Sequence, residues 1–198
     1  MKTLKLIGCI IGLCLALGLS GCGSRSSAPS PTKIYMFPTT TLYDGNLKGG
    51  LSDARTGADA IALANRPAGL AGKTVHAFIS ISSTDSIASM PTNFDFPNNI
   101  PIYNVDGTLK IADNWADLMD GYINTSLGSA FSMPDSDYWW SGSNDNGLYD
   151  SVNNCNSWTS NLASVNGEVG LKNTIGPTWI NNGRFQGIVH VYVLSVAY

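Results

Sequence analysis

The chain has 198 residues, with 11 lysines and arginines against 14 acidic residues and a formal net charge of −3 at pH 7. It has no basic stripe and no arginine cluster, which argues against nucleic acid and polyanionic sugars as partners. Charged residues are only 13%, against roughly 25% in ordinary soluble domains. The acidic set holds a single glutamate, Glu168, and the rest are aspartates. Aspartate, asparagine, glycine and serine favour turns and caps over helix interiors, so the composition predicts a loop-rich chain with little helix.

The amino-terminal stretch is a targeting segment. Lys2 and Lys5 form a positive n-region, and Leu6 to Leu19 form an apolar run too short to span a membrane. Leu19-Ser20-Gly21-Cys22 then reads as a lipobox, the pattern of bacterial lipoproteins. On that reading residues 1–21 are a signal peptide, and Cys22 becomes the acylated first residue of the mature chain. A palmitate-type lipid anchor with several acyl chains gives stable membrane attachment where one chain does not. Removal of Lys2 and Lys5 leaves the mature chain at about −5. Cys9 and Cys14 leave with the signal and Cys22 carries lipid, so Cys155 stands alone and no internal disulfide can form.

Residues 22–32 read as a lipidated flexible tether rich in serine and proline, and residues 33–198 as one domain. Lys33 to Pro38 is a first strand. Thr56 to Asn65 is a helix, with Thr56 as cap and Pro67 as stop. Thr74 to Ile81 alternates as a strand. Asn114 opens a second helix that puts Trp115, Leu118, Met119 and Tyr122 on one face. On it Asp113, Asp117 and Asp120 form a solvated, capping face. Phe131 to Asn161 is a long aromatic and polar stretch. Gly187 to Tyr198 has almost no charge and reads as a buried central strand. Two short helices, several strands and long structured loops make an α+β domain.

The ordered set Gly49-Gly50-Leu51, Gly57-Ala58-Asp59, Gly69-Leu70-Ala71-Gly72 and His76-Ala77-Phe78-Ile79-Ser80 resembles the opening of the endostatin domain. The likeness continues through Pro101-Ile102, Trp115-Ala116-Asp117-Leu118, Trp140 to Gly147, Cys155-Asn156-Ser157-Trp158 and Tyr192 to Ser195. Together with the lipobox, the chain resembles bacterial endostatin-like outer-membrane lipoproteins. The resemblance implies a C-type lectin-like fold, a twisted, mainly antiparallel sheet with two short helices and long loops. It also implies an adhesin-like role toward extracellular-matrix or complement-regulating proteins. The four cysteines of the vertebrate domain align with Ala62, Cys155, Gly187 and Ser195, so neither bridge is present here. Each missing bridge removes roughly 2–4 kcal/mol, which the apolar core has to offset. The histidine zinc site and arginine-based heparin surface of the vertebrate domain have no counterpart in this sequence.

The raw material for catalysis is thin. His76 and His190 both fall in predicted strands among apolar neighbours, and neither Gly-x-Ser-x-Gly nor a phosphate-cradling loop is present. Cys155 reads as a packing residue beside a tryptophan or as a reactive thiol. Asn144, Asp145, Asn146, Asp150, Asn153 and Asn154 crowd oxygen donors together, either as turn formers or as calcium ligands, with Asn144, Asp145 and Asp150 foremost. Tyr138, Trp139 and Trp140 divide between core and a binding surface, with Trp140 assigned to the core.

The sequence therefore predicts a non-enzymatic, lipid-anchored binding module of the outer membrane, surface-exposed and contacting proteins or glycans. Its contact residues are Tyr138, Trp139, Asn144, Asp145, Asn146 and Asp150, and no cofactor is required unless calcium is bound. A periplasm-facing structural or assembly lipoprotein is the alternative, followed by an envelope glycan or peptide hydrolase.

Overall fold

The computed structural model describes residues 30–198. The signal segment 1–21, Cys22 and the tether up to residue 29 lie outside the described residues. The unit Pro31–Tyr198 is α+β. Its strands are β1 (Ile34–Pro38), β2 (Val75–Ala77), β3 (Ile102–Tyr103), β4 (Lys110–Ala112), β5 (Tyr138–Trp140), β6 (Asn166–Leu171), β7 (Arg184–Gln186) and β8 (Leu194–Ala197). The helices are α1 (Ala54–Ala64) and the single turns α2 (Met90–Asn93), α3 (Trp115–Leu118) and α4 (Leu127–Ala130).

The larger sheet has the order β2-β8-β1-β3-β4, and only the β1–β3 pair is parallel. The apolar chain end holds it together. Strand β8 sets Ser195 opposite Phe37 on one side and Ala77 on the other. The smaller sheet, β5-β6-β7, is antiparallel. Residues 192–194, leading into the start of β8, join the two, since the Trp140 amide donates to the Tyr192 carbonyl at 2.9 Å and the Phe78 amide to the Leu194 carbonyl at 2.8 Å.

Two buried clusters lie on opposite faces of these strands. One gathers Ile34, Phe78, Trp115, Trp139, Trp179, Tyr192 and Val196. The other gathers Phe37, the α1 alanines Ala54, Ala58 and Ala62, and Trp140, Cys155, Trp158 and Val193. Small residues on α1 let the helix lie close to the 47–48 turn: a Cβ at Gly57 would meet the backbone of Leu47 and Lys48.

Several expected elements are corrected. The first helix starts two residues early, because Asp53, not Thr56, is its cap and accepts the Thr56 amide at 2.8 Å. That amide first, then the Ser52 and Thr56 hydroxyls, hold the Asp53 carboxyl at about 2. The second helix shrinks to one turn. Asn114 caps it as expected, but the chain turns at Gly121, whose φ of +96° a helix cannot hold, and Tyr122 is left 60% exposed. Asp117 and Asp120 do close turns, accepting from the amides of Asp113 and Tyr122. The strand expected over 74–81 is three residues long. The final strand begins only at Leu194, since 187–190 form a turn that leaves His190 exposed.

Trp139 is fully buried, not at a contact surface. Adjacent residues of a strand point to opposite faces, and β5 is covered on both: Trp139 enters the first cluster and Trp140 the second. Their indole N–H groups donate to the carbonyls of Trp179 at 3.0 Å and Tyr43 at 2.8 Å.

Candidate functional site

The loop after β5 presents the expected asparagines and aspartates, and Asn144, Asp150 and Asn154 each turn an oxygen back on the backbone. Asn144 Oδ1 accepts the amides of Asn146 (3.1 Å) and Leu148 (3.0 Å). Asp150 Oδ1 accepts those of Val152 (2.7 Å) and Asn153 (3.1 Å), and its Oδ2 accepts from Asn153 Nδ2. Burial pushes the Asp150 carboxyl up, but these hydrogen bonds outweigh it and leave it below its ordinary value. Asp145 accepts from Asn181, and Asn146 Nδ2 donates to the Met119 carbonyl at 3.4 Å. Among the described residues no three His, Cys, Asp or Glu side chains converge as a metal site. Asn144, Asp145 and Asn146 are exposed, while Tyr138 is half-buried with its ring against Phe185.

A buried serine pair fixes this loop to the segment that follows β2. Ser80 Oγ lies 2.7 Å from Ser143 Oγ and accepts the Ile87 amide at 2.8 Å. The Ala88 amide donates to the Gly147 carbonyl at 3.0 Å. Gly147, at φ +71°, seats against Met119, where a Cβ would overlap the Met119 sulfur. The loop is held from both sides.

Beyond it, Cys155, Asn156, Ser157 and Trp158 all take positive φ, between +49° and +60°. This is a left-handed turn of four non-glycine residues, each disfavoured by roughly 1–2 kcal/mol. Three contacts hold it. Asn154 Oδ1 accepts the Ser157 amide at 2.7 Å, the Asn154 carbonyl accepts the Trp158 amide at 2.7 Å, and the Trp158 indole donates to the Ser80 carbonyl at 2.7 Å. Asn156 and Ser157 are presented to solvent at its tip. Cys155 is a buried packing residue beneath it; burial first and the Asp44 charge second push its thiol up to about 12, far from a nucleophile's range.

Next to the loop, α2, the 98–100 segment and α3 frame an open groove of about 560 Å³, within the range of small-ligand sites. Its polar lining is Thr92, Asn98, Asn99 and Asn114, and Pro91, Ala116 and Met119 are among its apolar members. No lining side chain is charged or titratable. The Asn98 carbonyl accepts the Trp115 amide at 3.0 Å, and the Trp115 indole donates to the Ile87 carbonyl at 3.2 Å. These bonds tie the groove walls to the core. Met119 and Ala88 line the groove and also hold the Asn146-Gly147 turn, so groove and loop form one continuous surface. Asn98 and Asn99 carry no motif in the sequence beyond Pro97-Asn98-Asn99-Ile100-Pro101, which signals a stiff polar loop and not a binding site.

His76 is elsewhere. Its Nδ1 lies 2.8 Å from Asp59 Oδ2, and its ring stacks on Phe94 at 3.9 Å. Asp59 also accepts the Ala77 amide and an Arg55 N–H, while Arg55 grips Asp85 with two bonds of 2.8 and 2.9 Å. Arg55 further donates to the Ala77 and Ile79 carbonyls. The network fastens α1 to the edge strand β2 and the 82–85 turn, a structural use of every group in it.

No family model and no curated protein matches this chain.

Proposed function

We propose that this chain is a lipid-anchored binding module of the outer membrane, an endostatin-like domain of C-type lectin-like fold displayed outward to hold matrix or complement-type proteins or glycans. The observation that carries the binding role is the groove beside the 144–147 turn. It is open, its walls are fixed by backbone hydrogen bonds, and it presents polar side chains that the fold does not consume. Catalysis would need a titratable group facing the substrate, and the groove lining offers none.

Support for the endostatin-like reading comes from the positions where the vertebrate cysteines align. Ala62 lies in the second cluster, and Ser195 shares its strand face with Val193 and Ala197 of that cluster. The Ser195 hydroxyl is buried there without a partner, in a setting suited to a less polar side chain. Cys155 and Gly187 both flank Gly45: its amide donates to the Gly187 carbonyl at 2.7 Å, and a Cβ on it would overlap the Cys155 sulfur. The mainly antiparallel sheet and the long loop between β5 and β6 fit the same reading.

The test is binding of the full-length lipidated protein to immobilised matrix and complement-regulating glycoproteins. An alanine triple variant at Asn144, Asp145 and Asn146 is the comparison, because all three are exposed. The proposal expects saturable binding to at least one protein and a loss of tenfold or more in the variant. Absence of binding across the panel, or equal binding by the variant, contradicts it.

A further inference from the structure

We infer that the groove between α2 and α3 is a binding site for neutral oligosaccharide, engaged without a metal ion. The inference rests on the binding-module reading and adds the class of ligand. Four lining groups hold unused hydrogen-bonding capacity. Asn98, Asn99 and Thr92 make no side-chain hydrogen bond within the described residues, and all three are exposed. Asn114 spends its Oδ1 on the Asp117 amide at 3.0 Å, which leaves its NH₂ free to donate.

The chemistry of that set selects the ligand. A carboxamide offers a donor and an acceptor side by side, the pair that vicinal sugar hydroxyls satisfy. Ala116 and Met119 supply apolar surface for the C–H face of a pyranose, with the buried Pro91 beneath. A nucleotide or a charged peptide segment would need an opposite charge, and no lining group supplies one. The adjacent Asp113, Asp117 and Asp120 add negative charge at the α3 end, with only Asp113 paired, to Lys110. Sulfated or sialylated glycans are thereby disfavoured. The walls do not need to be ordered on binding, because Asn98 and Trp115 are already joined through the backbone and the Trp115 indole is anchored on Ile87.

The experiment uses the full-length protein, ¹⁵N-labelled, in a detergent whose headgroup is not a sugar. It is titrated with neutral gluco-, manno-, galacto- and N-acetylglucosamine oligosaccharides, and separately with heparin. The inference predicts that at least one neutral series shifts the side-chain amide signals of Asn98, Asn99 and Asn114 saturably, with Kd about 1 mM or tighter, while heparin does not. The double variant Asn98→Ala/Asn99→Ala weakens binding at least tenfold with an unchanged thermal midpoint, since neither side chain is used internally. Ala116→Trp, at an exposed position, fills the groove and abolishes the shifts. The chelator EDTA leaves them unchanged.

Absence of shifts with every neutral series overturns the inference, and so do shifts confined to residues outside the groove or stronger binding of heparin. If glycoprotein binding through Asn144–Asn146 survives that failure, the ligand class is wrong and the binding module stands. If neither activity is present, both fall.

Discussion

Replacing Glu168 by glutamine removes the only glutamate in the chain and, with it, one pH-dependent contribution to stability. Glu168 is 3% exposed on the central strand of the smaller sheet, and its Oε1 accepts the Gly183 amide at 2.6 Å. Burial first, with the Asp150 charge adding to it, pushes its carboxyl from 4.5 to about 7 despite that hydrogen bond. Between those two values the folded protein holds a proton that the unfolded chain releases, so stability falls as pH rises. The contribution is complete below about pH 4.5 and gone above about pH 7. At about 1.4 kcal/mol per pH unit, the span is worth about 3 kcal/mol. Glutamine keeps an acceptor for Gly183 and has no proton to lose. Urea unfolding followed by tryptophan fluorescence, at intervals from pH 4.5 to 8, compares the two proteins while other titrations cancel in the difference. With a urea slope of about 2 kcal/mol/M, the Glu168→Gln midpoint should gain about 1.5 M on wild type across this range. Parallel curves would show that Glu168 is ionised and solvated in the fold, and would refute the reasoning.

Three further outcomes follow from the packing. Gly45→Ala drives a methyl into Cys155 and should cost about 1–3 kcal/mol; in Gly45→Ala/Cys155→Ala the loss should be smaller than the sum of the single changes, read by denaturant midpoints in a double-mutant cycle. Ser157→Gly relaxes a residue at φ +53° and should stabilise the fold by up to about 1 kcal/mol, raising the thermal midpoint. Arg55→Met removes the partner of Asp59 and Asp85 and two backbone contacts, and should destabilise by about 3 kcal/mol in urea titration, leaving the groove's ligand shifts in place.

What the sequence made legible was local. The β1 strand, the α1 helix and the Asn114 cap follow from runs of apolar residues and a capping side chain, signals contained within a few positions. The single helical turn at Trp115–Leu118 was harder, because its apolar spacing extends to Tyr122 while the break is made by the backbone angle at Gly121. Trp139 shows the same limit at the level of packing. A strand buried on one face leaves alternate residues exposed, and nothing in Tyr138-Trp139-Trp140 says that both faces of β5 are covered. The left-handed turn at 155–158 has no glycine to announce it, and is held by Asn154, Ser80 and the Trp158 indole, contacts that arise only in the folded chain. The groove was invisible for a similar reason: Thr92, Asn98, Asn99 and Asn114 are ordinary loop residues until α2 and α3 bring them together.

Protease treatment of intact cells, with a periplasmic protein as leakage control, tests most directly whether the domain is an outward-facing binding module. Residues 33–198 should be lost from whole cells while the control stays intact, and Cys22→Ser should abolish both palmitate labelling and surface display. Protection of the domain until the outer membrane is broken would contradict it and place its partner inside the envelope.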